Sequence, residues 1–265
     1  MPAGIAIAGV GSVSCASAGN CAAGGSYLDS QIHSQGFVAV ETNGVWGRAI
    51  EVPGLSALGG NAGVASVSCP SAGNCAAGGN YGDRHGRELV FVVSERNGVW
   101  RQAIRVPGIR DLGKGSAQLG SVSCASAGNC AAGGFYGSMQ GETFYKGFVV
   151  SQMNGVWGRA IEVPGLGTLT TGRFARVVSV SCASPGNCAA GGRYEDRNLH
   201  NQGFVVSEKN GVWGRAVEVP GLAALNKGGN AGVGSVSCAS PGTCAAGGSY
   251  ADRPGHYNRL QGFVT

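Results

Sequence analysis

The stretch CASAGNCAAGGSY, Cys15 to Tyr27, decides the architecture, because it returns almost unchanged four more times in the chain. Each return carries a Cys-x5-Cys pair: Cys15 with Cys21, Cys69 with Cys75, Cys124 with Cys130, Cys182 with Cys188, and Cys238 with Cys244. Successive pairs lie 54, 55, 58 and 56 residues apart. That period is too long for a leucine-rich or β-helical coil and close to the length of one propeller blade. All 10 cysteines are used in these pairs. An even count, with every pair in the same local context, reads as a disulfide framework and so as an oxidising compartment. The rival reading, zinc, calls for closer cysteine knuckles meeting in fours.

Working outward from the hairpin, each repeat holds four strands. In the first copy they are SVSC (Ser12 to Cys15), CAAGGSY (Cys21 to Tyr27), GFVAVE (Gly36 to Glu41) and VWGRAIEVP (Val45 to Pro53). The repeats begin near residues 12, 66, 121, 179 and 235. Asn-Gly joins the third strand to the fourth at Asn43-Gly44, Asn97-Gly98, Asn154-Gly155 and Asn210-Gly211. Between β-rich runs this dipeptide is the strongest short-range hairpin signal, since a type I′ turn needs positive φ at both central residues. Helix finds no foothold, because Gly, Ser, Val and Pro dominate and no long 3.6-residue period survives.

Five such units predict an all-β chain, a five-bladed β-propeller of four-stranded antiparallel blades forming one domain over residues 1–265. The Ala-Ala-Gly-Gly of every second strand lets the neighbouring blade approach closely. Trp46, Trp100, Trp157 and Trp213 are expected to fill the space between blades.

Composition narrows the function classes. Gly is 50 of 265 residues without a Gly-X-Y period, which excludes collagen. Charged residues make up 12% and hydrophobic ones 43%, which argues for a packed core and against disorder. The net charge is +5, but the basic residues are scattered, so nucleic acid is not an expected partner. No apolar run is long enough for a membrane helix. The start, MPAGIAIAGVGS, lacks the basic region and apolar length of a signal peptide, so either export information is expected outside this sequence or the N-terminus has been rebuilt.

The pattern VSC-x-S-x-x-x-C-x-A-x-G, followed further on by NG-x-W, resembles a repeat of secreted actinobacterial proteins that are expected to form propellers. The Gly-Gly of the second strand with a Trp downstream is loosely similar to kelch blades, and the fivefold count to the tachylectin-type lectins. The resemblance implies a secreted propeller and says little of activity.

The fifth repeat stops at LQGFVT (Leu260 to Thr265), short of an Asn-Gly turn and a Trp. Three outcomes are open: closure by the N-terminal GIAIAGVG (Gly4 to Gly11), with Ile5 and Ile7 pairing with Phe263 to Thr265, a fifth blade of three strands, or a shortened chain.

The disulfide hairpins and Asn-Gly turns fall on one face and scarcely vary, whereas the connections on the other face vary freely. Loops carried by a rigid scaffold are where function concentrates. A Tyr-x-Asp-Arg pattern starts these loops at Tyr81, Asp83 and Arg84, at Tyr194, Asp196 and Arg197, and at Tyr250, Asp252 and Arg253. It weakens to Tyr27 and Asp29 and is lost after Tyr136. A ring beside a carboxylate and a guanidinium suits a sugar, with stacking on the C–H face and ionic hydrogen bonds to hydroxyls. The structural alternative is a Tyr packed against the next blade and an Asp that caps a turn.

His33, His85, His200 and His256 fall in four of these loops, each with at most one carboxylate, too few ligands for a closed metal site. No cofactor or metal is expected. Near-identical blades imply near-identical surfaces, whereas acid–base catalysis needs two groups in different environments. The sequence therefore predicts a non-enzymatic, multivalent, lectin-like module binding a glycan or cell-surface polymer. A protein-interaction platform is the alternative, and a hydrolase or lyase at the channel mouth is a remoter one.

Overall fold

The computed structural model describes residues 8–113, 115–138, 144–170, 173–255 and 259–265. It is a β-propeller of five antiparallel sheets, one per repeat. In the first blade an inner strand, Ala8–Ser17, pairs with Asn20–Leu28, which pairs with Ser34–Thr42. The fourth strand comes in two pieces, Val45–Trp46 and Ile50–Glu51, both paired with the third. The next three blades repeat this plan from inner strands Gly60–Ser71, Ser116–Ser126 and Ala175–Ser184. The fifth sheet has three strands, Ala231–Ser240, Thr243–Ala251 and Leu260–Val264.

Local chemistry explains the repeated letters. All five cysteine pairs are disulfides, and four of them join residues that face each other in the hairpin ladder, as at Cys15 and Cys21. A bulge interrupts every inner strand immediately before its Ser-Val-Ser-Cys run, for example between Val10 and Ser12. It thrusts a carbonyl at the second Gly of Ala-Ala-Gly-Gly. A Cβ on Gly134 would stand 2.0 Å from the Gln118 oxygen. The first Gly of the pair receives the next blade instead: a Cβ on Gly133 would meet Val177 at 2.6 Å and Val180 at 3.2 Å.

The serines of the inner strands stitch blade to blade. Ser12 and Ser14 Oγ accept the amide N–H groups of Val67 and Cys69, and Ser66 and Ser68 accept those of Val122 and Cys124, all at 2.9–3.0 Å. The third and fourth blades do the same to their successors. A side-chain oxygen thus satisfies amides that the inner edge of each sheet would otherwise leave unpaired.

Apolar cores lie between blades, one at each of the four successive interfaces. Trp100, Trp157 and Trp213 are buried there, each packed against the preceding blade. Trp46 differs: at 47% exposure it meets no preceding blade among the described residues. Trp213 also donates from Nε1 to Ser151 Oγ at 2.9 Å.

The Asn-Gly turns and the disulfide hairpins share a face and bond to each other, with Gly44 N donating to Gly19 O and Gly98 N to Gly73 O, both at 2.9 Å. Asn43 has φ 53° and Gly44 φ 82°, the positive values that a type I′ turn demands. Two details depart from the sequence reading. One-turn helices, Leu55–Leu58, Ile109–Leu112, Leu166–Leu169 and Leu222–Leu225, follow the outer strands. Each starts from a left-handed Gly after Pro and anchors its first apolar residue in the core, a signal too short for helical periodicity to show. Ile5 and Ile7 lie outside the described residues. Ala8 to Val10 pair within their own blade, with Tyr27 to Gly25, and Thr265 bonds Ala246 in its own sheet.

Candidate functional site

The variable loops start from Asp residues that fold them. Asp83 Oδ1 accepts the backbone amides of His85 at 2.8 Å and Arg87 at 3.1 Å. Asp29 does the same for Gln31 and His33, and Asp196 for Asn198 and His200. These bonds to a short acceptor two and four residues back are what close the loop. The remaining oxygen takes a glutamine in two blades, Gln35 on Asp29 and Gln202 on Asp196.

The second blade departs from that plan. Leu89 occupies the glutamine position, and Asp83 Oδ2 instead accepts Arg87 Nη2 at 2.8 Å and Arg110 Nη2 at 2.9 Å. Burial of this carboxyl works to raise its pKa. The Arg87 side chain and the amides of Arg87 and His85 outweigh burial and hold it well below the usual carboxylate range. At Asp196 the His200 and Asn198 amides and Gln202 likewise overcome burial, and at Asp29 the His33 amide leads in lowering the pKa.

A cleft of about 490 Å³ opens beside Asp83, between the one-turn helix after the first blade and the loop of the second. Arg84, His85, Arg105 and Arg110 line it, with Gly82 and the Ser56 to Gly60 segment. Arg84 and His85 are exposed. Arg105 donates from Nε to the Tyr81 hydroxyl at 2.7 Å. Arg87 and Arg110 pair with Asp83, and Arg84 and Arg105 also line the cleft or its wall, so the cleft carries more cationic than anionic groups and fits an anionic ligand.

The tyrosines sit elsewhere than a sugar platform needs. Tyr81, Tyr136 and Tyr194 are buried at 0–4% exposure, and no ring face is open for stacking. Their hydroxyls are engaged: Tyr136 donates to Glu162 at 2.8 Å and Tyr194 to Glu218. Burial and then the facing carboxylate push both phenols far above their ordinary value. Tyr27 and Tyr250 are half-buried. Arg197 and Arg253 are exposed and Asp252 is half-buried, and none of the three shows a side-chain bond among the described residues. The structure therefore brings Asp83 and Arg84 to a cleft and leaves the other members of the pattern as loop and core residues. His256 and residues 139–143 of the third loop lie outside the described residues. No group of three or more potential metal ligands occurs among the described residues.

Arg105 and Arg110 belong to no repeated motif, because they are where the repeat breaks. The first, third and fourth blades carry Glu51, Glu162 and Glu218 at the first position and Ser56, Gly167 and Ala223 at the second. Departure from the consensus of the chain's own repeats was the available signal.

No family model matches the chain, and no curated protein matches it in sequence. Among solved structures, a protein of unknown function from Dyadobacter fermentans aligns at TM-score 0.54 and 10% identity, over 96% of this chain and 74% of its own. An ulvan lyase of a polysaccharide lyase family, bound to an oligosaccharide of glucuronic acid and sulfated rhamnose, aligns at TM-score 0.52 and 11% identity. That alignment covers 98% of this chain and 64% of the lyase, so the chain spans less than two thirds of the enzyme it matches. A GH43_1 enzyme from Xanthomonas citri aligns at TM-score 0.41 and 11% identity, over 98% and 90% of the two chains, a likeness too loose to build on. The first two likenesses show the propeller fold, which a polysaccharide lyase uses. They correct the expectation of a non-enzymatic lectin-like module or interaction platform, which rested on blade symmetry. The physical reason is local: Arg105 and Arg110 give one blade a surface the others lack, so repeated scaffolding does not impose repeated sites.

Proposed function

We propose that this chain is a secreted glycan-processing enzyme, a lyase acting on a uronate-bearing polysaccharide at the arginine-lined cleft of the second blade. The observation that carries the reading is the charge balance there: Arg84, Arg105 and Arg110 line the cleft, and its one lining carboxylate, Asp83, is already paired with Arg87 and Arg110. The ulvan lyase on the same fold supports it, as do five disulfides, which point to an oxidising compartment. No helix is long and apolar enough to cross a membrane among the described residues.

The chemistry follows from the donor set. A guanidinium that neutralises a uronate carboxylate makes the proton on C5 acidic by stabilising the charge that develops as it leaves. His85, exposed at the cleft, takes that proton. The electron pair forms the C4–C5 double bond, the bond from C4 to the glycosidic oxygen breaks, and that oxygen takes a proton from water. Tyr81 is fully buried and holds Arg105, so its role is to position that guanidinium.

Incubation with a panel of uronate polysaccharides, followed by the ultraviolet absorbance of unsaturated uronate ends, tests this. Product with the native protein, lost in Arg110→Ala and His85→Ala, is the expected result. Absence of unsaturated ends across the whole panel, with or without new reducing ends, would overturn it.

A further inference from the structure

The five blades leave two faces open, and each is the counterpart of the other. At every internal interface one blade offers two serine hydroxyls and a glycine hollow, and the next blade fills them with two amides and two apolar side chains, valines except for Leu119 of the third blade. Between the fourth and fifth blades, Ser179 and Ser181 accept Val236 N and Cys238 N at 3.0 Å. Val233 and Val236 come to 2.6 and 2.7 Å of a Cβ placed on Gly191.

The fifth blade presents the accepting half again with nothing in it. Ser235 and Ser237 accept no bond among the described residues. A Cβ on Gly247 would meet only the Phe263 oxygen, at 3.6 Å. Val264 is 83% exposed where its equivalent Val38 is at 0%. The first blade presents the inserting half uncovered: Val10, Val13 and Trp46 are 60%, 56% and 47% exposed, against 4%, 6% and 7% for Val64, Val67 and Trp100.

The two inserting strands are the same sequence. Ala8–Ser17 and Ala231–Ser240 both read AGVGSVSCAS. Whatever lets the fifth blade dock on the fourth is therefore carried, residue for residue, by the inner strand of the first. We propose that this chain associates head to tail, the first blade of one copy docking on the fifth blade of another. Val13 and Cys15 of one copy would then donate their amides to Ser235 and Ser237 of the next, and Val10 and Val13 would fill the hollow at Gly247. Such a contact is heterologous, using different patches on the two copies, so its size is not fixed at two.

The test blocks each end separately. Val13→Arg places a charge on the inserting face, and Gly247→Leu fills the hollow on the accepting face. Both positions are open in the single copy, so unchanged far-ultraviolet circular dichroism and melting will report intact folding. Light scattering on the native chain should show mass rising with concentration. Each variant alone should stay monomeric, and an equimolar mixture should give a one-to-one dimer and nothing larger, because each variant retains the end the other needs. A native monomer at every concentration would overturn the proposal. So would self-association of either variant alone, which marks a symmetric contact, or a monomer destabilised by Val13→Arg, which marks closure within one chain.

Discussion

Arg110 Nη2 stands 2.9 Å from Asp83 Oδ2, tying the short helix after the second blade to the loop that shapes the cleft. The carboxylate side chain is 4% exposed and the guanidinium 42%. That asymmetry separates what the two substitutions do. Arg110→Ala leaves Asp83 its bond to Arg87, and a half-exposed pair contributes at most about 1 kcal/mol to stability. It should leave urea unfolding almost unchanged while lowering lyase activity at least tenfold. Asp83→Ala strands the cations and opens the loop, and should cost on the order of 3 kcal/mol. Equal losses of stability in the two variants would contradict this division.

Two other carboxyls are buried without a cation beside them among the described residues. Glu95 and Glu208 are 2% exposed in the blade interfaces, and the Glu95 carboxyl has no hydrogen-bond partner among the described residues. Burial raises both above the ordinary glutamate value of 4.5, although Ser151 offsets part of the rise at Glu208. A carboxyl whose folded pKa is raised gives stability that is present below the unfolded value and lost as pH climbs through the folded one. Stability should therefore fall from mildly acid to neutral pH, and Glu95→Gln should flatten that slope and raise the neutral melting temperature. The third blade already carries the amide here: Gln152 is buried and donates to Ser94 Oγ at 3.1 Å. Melting curves across the acid-to-neutral range decide it.

The blades were legible because their determinants are local and repeated: a cysteine pair across one hairpin, Asn-Gly at one turn, two glycines at one bulge. The cleft was not, for the opposite reason. Arg105 comes from an outer strand, Arg110 from a helix of one turn and Asp83 from a loop, and their meeting depends on how the elements pack around the interface. Tyr81 looked like a ligand platform because a strand-ending Tyr beside Asp and Arg carries the same letters whether it faces solvent or core. Its burial is set by the neighbouring blade, which the local sequence does not specify.

Each disulfide closes only a short loop, with a sequence separation of 6. The chain-entropy model gives about 2 kcal/mol for so short a loop. Replacing Cys124 and Cys130 together by Ser should cost about that much in denaturant unfolding. Full reduction of all five bridges should lower stability by several times the single effect. A single-pair loss well above the estimate would mean that the bridge also holds packing at the partly buried Cys124.

The two adjacent glycines of the second strand make a sharper comparison, because they are required for different reasons. A Cβ on Gly133 meets Val177 and Val180 side chains at 2.6 and 3.2 Å, and side chains can shift. Overpacking of that kind costs about 1–3 kcal/mol. A Cβ on Gly134 meets the Gln118 carbonyl oxygen at 2.0 Å, held by the bulge and the ladder on either side. Relief there requires moving backbone, so Gly134→Ala should destabilise the chain more than Gly133→Ala. The same substitution at Gly247, the fifth blade's equivalent of Gly133, finds its nearest neighbour at 3.6 Å and should be close to neutral for the isolated copy. Urea midpoints in the order Gly247→Ala highest, Gly133→Ala next and Gly134→Ala lowest are expected. A reversed order for the adjacent pair would mean that the bulge yields more readily than the valines between the blades.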